Sequence, residues 1–124
     1  MITDQQKPAV WVGHVALLTS NVAESCEFMQ SIGMRLIMLE ENFALLELRG
    51  GTHLALVSNP DSELLRGEFD LMVDDLDAMH ELLVNLGHSP DAIERGEIHD
   101  SFEMREPGGN RLLFNSSHAS DLPV

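Results

Sequence analysis

Two stretches of this chain carry the same alternation of apolar and polar positions. "HVALLTSNVAESCEFMQSIG" (14–33) and "EFDLMVDDLDAMHELLVNLG" (68–87) each start with a period-two pattern, pass through a polar turn, continue at helical spacing and finish on glycine. Each predicts a strand followed by an amphipathic helix. Alternation sends Val15, Leu17 and Thr19 to one face of the first strand and His14, Ala16 and Leu18 to the other; in the second copy Phe69, Leu71 and Val73 oppose Glu68, Asp70 and Met72. Asn21, with Glu24 three residues on, reads as a helix start, and Asp74, Asp75 and Asp77 place negative charge at the start of the second helix, where the helix dipole favours it. Leu76, Met79, Leu83 and Leu86 form its apolar stripe, and Gly33 and Gly87 stand at the expected helix stops.

Further along, "RGGTHLALVS" and "PGGNRLLFNS" align at an offset of 58 residues, so the second copy carries an insertion between helix and hairpin. Short strands are expected at "RLIMLE", "FALLELR" and "THLALVS" in the first copy and at "AIERGEI", "SFEMRE" and "RLLFNS" in the second, with Gly50-Gly51 and Pro107–Asn110 as hairpin turns. The expectation is an α+β chain of two βαβββ modules, about 9–58 and 67–118, joined by "SNPDSELLRG" within one domain spanning 1–124.

Charge narrows the partners. Seven Lys and Arg against 21 Asp and Glu leave a formal charge of −14, which repels nucleic acid and anionic membranes and favours cationic ligands or divalent metals. Hydrophobic residues make up 44% of the chain, enough for a core, yet no run suits a membrane span and the N-terminus lacks a basic flank before an apolar stretch. The single cysteine, Cys26, falls on a helix face, where it is expected to be buried and inert, and a cytoplasmic location suits it. His80 and His88 are expected in solvent. Glu47 and Arg105 are equivalent under the 58-residue offset and are expected to pair at the surface.

Paired βαβββ modules, a histidine opening the first strand, "FDLMVDDLDAMHELLVNLG" and the turn "EPGGNRLLF" together resemble the vicinal oxygen chelate superfamily of glyoxalase I, bleomycin-resistance and extradiol-dioxygenase proteins. The resemblance covers the chain from about Trp11 to Asn115. It implies two sheets curled into a cup with helices outside, a homodimer, and a divalent metal on four equivalent positions. Here these are His14, Ala55, Glu68 and Leu113. His14 and Glu68 are acceptable ligands for zinc, manganese, nickel or ferrous iron; Ala55 and Leu113 are not.

Two classes of function follow. In the first, an enzyme acts on a small oxygenated molecule: a metal on His14 and Glu68 stabilises an enolate or oxyanion, or Glu68 serves as general base oriented by His14. In the second, the cup binds a small molecule without metal, as the bleomycin-resistance proteins do. In both, His53, Asp70 and Met72 are expected to line the pocket, together with His99, Arg111, Leu113, Asn115 and His118. As a buried carboxylate, Glu68 would need a metal, a cation or a protonated neighbour such as His14.

Overall fold

The computed structural model describes residues 1–60, 66–117 and 120–124. Module one contains β1 (His14–Thr19), α1 (Val22–Ser31), β2 (Arg35–Leu39), β3 (Phe43–Glu47) and β4 (His53–Ser58); module two contains β5 (Arg66–Val73), α2 (Leu76–Asn85), β6 (Ser101–Arg105) and β7 (Arg111–Ser116). The sheets have the orders β1-β4-β3-β2 and β5-β7-β6, with β1–β4 and β5–β7 parallel and the remaining pairs antiparallel. Residues 61–65 of the link "SNPDSELLRG" lie outside the described residues, as does His118.

Local chemistry starts both helices in the same way. The Asn21 side chain accepts from the Glu24 amide at 3.0 Å, and Asp75 accepts from the Ala78 amide at 2.9 Å, each satisfying a donor that the first helical turn leaves unpaired. Each helix then covers the inner face of its own sheet. Leu17, Met29, Leu54, Leu83, Phe102 and Phe114 belong to one continuous core running through both modules. Cys26 lies in it, with its thiol pKa raised by burial. No helix among the described residues is long and apolar enough to cross a membrane.

The second module departs from the expected βαβββ pattern. "AIERGEI" forms no strand, only the isolated bridge between Glu94 and Ser101. The physical reason lies in its sequence: Ile93 packs on the core, but Glu94, Arg95 and Glu97 interrupt the apolar alternation and Ile98 is exposed. At Gly96 a Cβ would fall 2.4 Å from the His99 carbonyl oxygen, a turn tighter than a strand permits. Arg95 instead binds Asp77 at 2.7 Å and Asp100 at 2.9 Å.

The turn after β6 fastens module two to module one. Glu106, 1% exposed, accepts from Ser25 Oγ at 2.8 Å, from the Gly108 amide at 2.7 Å and from Asn110 Nδ2 at 2.9 Å. Thr19 Oγ1 lies 2.6 Å from Ser25 Oγ, Ser20 donates to the Gly108 carbonyl, and Asn110 donates to the Leu18 carbonyl at 2.7 Å. Charge-assisted bonds of this kind offset the desolvation of a buried carboxylate. Space there is full: a Cβ on Gly108 would stand 1.9 Å from Thr19 Oγ1 and 2.3 Å from Ser25 Oγ.

Gly108→Ala is therefore expected to destabilise the protein by about 3 kcal/mol, lowering Tm by roughly 10 °C. Gly109→Ala, at φ 96° but with nothing within 4 Å of the added Cβ, should cost only about 1 kcal/mol. Thermal unfolding of the two variants checks the difference.

Hydrogen bonding to Arg95 holds the carboxyl groups of Asp77 and Asp100 below the ordinary aspartate pKa. Because the folded values are depressed, their contribution to stability is present above the free value of about 3.9 and is lost as pH falls through the lowered values. In Arg95→Ala both titrations should move up towards the free value, as an NMR pH titration of the carboxyl carbons would show.

Candidate functional site

The sheet faces turned away from the helices carry the candidate residues. On module one, the β-ladder registers set His14 beside His53, His53 beside Glu47, and Glu47 beside Arg35, so four polar side chains form one row across four strands. The His14 and His53 rings are 5.3 Å apart and tilted by 30°. His53 Nε2 lies 3.3 Å from Glu47 Oε2, and Arg35 donates to Glu47 Oε1 at 2.8 Å. Beyond this row the same face is apolar: Ala16, Leu18, Leu45, Ala55 and Val57 follow by alternation. Leu18 is 40% exposed, and Met38 on β2, in register with Leu45 after a bulge, is 44% exposed.

Module two presents a different surface. Asp70 pairs in register with Leu113 and Met72 with Asn115, and Asn115 Nδ2 donates to Asp70. Arg111 is already engaged, donating from Nε to Glu103 at 3.2 Å and from its terminal nitrogen to Asp91; these hydrogen bonds raise its pKa. His99 places Nδ1 3.0 Å from the Ser116 carbonyl, which fixes its ring at the end of β7. Met72 is exposed, and Leu113 is half-buried.

His14 and Glu68 are pseudo-equivalent, but the local backbone differs. His14 sits in an unbroken ladder with β4, whereas the β5–β7 register shifts between Arg66 and Asp70 and leaves Glu68 without a ladder partner. Glu68 is exposed and has no ion-pair or hydrogen-bond partner among the described residues. The burial expected for it is therefore absent in one chain, because the face it occupies is open. His14 has His53 as its ring neighbour.

The donor set can be tested against a metal directly. Of the four positions, Ala55 and Leu113 offer only hydrocarbon, and no group of three or more His, Cys, Asp or Glu among the described residues is placed to hold a metal ion. One chain's residues do not fit a resident metal.

Three sequence expectations change. His80 is not free in solvent: Nε2 lies 2.9 Å from the Asp91 carbonyl and the ring meets Phe102 edge-on at 5.0 Å. His88 packs edge-on against Phe28 at 5.1 Å. Glu47 pairs with Arg35 and His53 rather than with Arg105. The polar row was missed because strand parity gives the face of each residue but not the register that sets four of them side by side.

With this geometry in hand, the fold has clear counterparts. A lactoylglutathione lyase from Agrobacterium tumefaciens superposes with a TM-score of 0.73 at 17% identity over 90% of this chain and 96% of its own. An antibiotic-binding protein from Streptomyces gives 0.73 at 22% identity over 90% and 98%. A bleomycin-binding protein in complex with bleomycin gives 0.67 at 16% identity over 89% and 100%. The chain shares the α+β fold of these structures, with two small sheets, two helices and no closed barrel among the described residues, as the sequence resemblance implied. No family model and no curated protein sequence matches it.

Proposed function

We propose that this chain is a small-molecule-binding protein that works without a metal, holding its ligand against the two open sheet faces in a homodimer. The observation that carries this reading is the replacement of two chelating positions by Ala55 and Leu113, which leaves a surface suited to contact rather than coordination. The two faces complement one kind of ligand. An apolar body fits Ala16, Leu18, Leu45 and Val57, while amine or guanidine groups fit the exposed Glu68 and Asp70. A second copy would cover the exposed Leu18 and Met38 and so close the cup. Fold relatives that hold antibiotics make cationic natural products the first compounds to try.

The chelating-enzyme reading keeps one observation in its favour: the imidazoles of His14 and His53 stand together beside Glu47 on the cup face. In that reading a zinc, manganese, nickel or ferrous ion on His14 and Glu68 would supply Lewis-acid chemistry.

Thermal denaturation in the presence of a chelator separates the two. Bleomycin or an aminoglycoside at about ten times its Kd should raise Tm by roughly 5 °C, and Ala16→Trp, which fills the cup, should abolish the rise. Elemental analysis of protein purified without chelator should find no stoichiometric metal. Near-stoichiometric metal that disappears in His14→Ala would overturn the proposal in favour of the enzyme.

A further inference from the structure

The two modules cover the open edges of their first strands differently. β1 and β5 are each the outermost strand of a sheet, where one row of backbone groups has no ladder partner. The turn after β6 covers the end of β1: the Ser20 amide donates to the Gly108 carbonyl at 3.3 Å, and Asn110 Nδ2 donates to the Leu18 carbonyl at 2.7 Å. Under the repeat offsets the corresponding turn is 48–52 and the corresponding strand end is 72–74. That turn is built otherwise. Leu48 stands in place of the Glu106 carboxylate, and Thr52, in place of Asn110, donates to the Val12 carbonyl within its own module.

A groove of about 760 Å³ lies beside this end of β5, with apolar surface from Met34, Leu48, Met79 and Leu82. Ser117 and Val124 also border it, so the chain leaves β7 at the groove and comes back to it at Val124. The residues 120–124, "SDLPV", suit such an edge. Ser120 Oγ accepts from the Leu122 amide at 3.2 Å, which turns the chain, and Leu122 precedes a proline, which steers it to extended backbone. In an extended run Leu122 and Val124, two residues apart, project to the same side. They are 45% and 65% exposed, next to a groove that presents apolar surface of its own.

We infer that the segment 120–124 is a strap that closes on this groove, seating Leu122 beside Val124 on Met34, Met79 and Leu82 and covering the end of β5 as the Glu106 turn covers the end of β1. Closure removes two exposed apolar side chains from water. The methionines of the groove suit a moving partner, because an unbranched thioether side chain adapts its outline to what lands on it. Closed, the groove is filled by the protein's own chain; lifted, the strap leaves it open to solvent. The device is independent of what the cup holds.

Nuclear Overhauser contacts in the full chain, with methyl-labelled methionine, leucine and valine, read the strap directly. Contacts to the Met34 or Met79 methyls are expected from both Leu122 and Val124. In Leu122→Asp/Val124→Asp the Met34 and Met79 signals should shift, because the new carboxylates meet Asp70, Asp74 and Asp75 on the groove wall and the strap lifts. Met29 and Met104 in the core and Met38 on β2 should hold their positions, reporting that the fold is kept. Ala78→Trp, which fills the groove, should abolish the contacts of Leu122 and Val124 with Met34. Contacts from Val124 alone, or from neither residue, would overturn the inference. So would unmoved Met34 and Met79 signals in the double variant, or contacts that persist in Ala78→Trp. Where a variant does not fold, the contacts of the unaltered chain decide.

Discussion

One buried carboxylate supplies the polar fastening between two modules that share a hydrophobic core. Glu106 reaches donors on its own turn, Gly108 and Asn110, and one on the opposite module, Ser25. Its low exposure makes the bonds strong and also makes the loss of any donor costly, since an unpaired charge there has no water to turn to. Gly108 permits the approach because the hydroxyls of Thr19 and Ser25 occupy the space where a side chain would begin. Two sheets that share no ladder are thereby held at a fixed attitude, and that attitude decides which strand faces are left open.

Much of this was legible in the sequence, because repetition shows through low identity when each copy keeps its own period. Asn21 and Asp75 announced both helix starts, and the glycine turns separated the expected hairpins correctly. The segment 92–98, expected as a strand, forms none, because Arg95 between its two isoleucines is drawn to Asp77 and Asp100 instead. Residues on the cup face were assigned by parity, which is local. The row His14, His53, Glu47 and Arg35 depends on register between four strands, and the shift that isolates Glu68 depends on how β5 meets β7; neither is local. His80 and His88 were placed in solvent because nothing in their neighbourhood along the chain reveals Phe102 or Phe28.

The two modules have diverged in complementary directions. Module one keeps an apolar sheet face with its polar groups gathered in one row, while module two sets carboxylates, an arginine and an asparagine along β5, β6 and β7. A ligand bridging such faces meets dispersion on one side and directed hydrogen bonds on the other, so orientation and affinity come from different halves.

The missing strand in module two sets a further difference between the halves. Module one ends in β2, an edge strand bulged between Leu36 and Met38 but paired by ladder bonds to β3. Module two ends in a segment held by short backbone contacts, by Arg95 between Asp77 and Asp100, and by Arg111 on Asp91. Ladder bonds are nearly indifferent to dissolved salt, whereas exposed ion pairs are screened by it over a Debye length of about 10 Å at 0.1 M. The module-two wall thus depends on the ionic medium more than the module-one wall, where ladder bonds hold the edge and Arg35–Glu47 adds a single exposed pair, so two halves built on one pattern sense their surroundings differently.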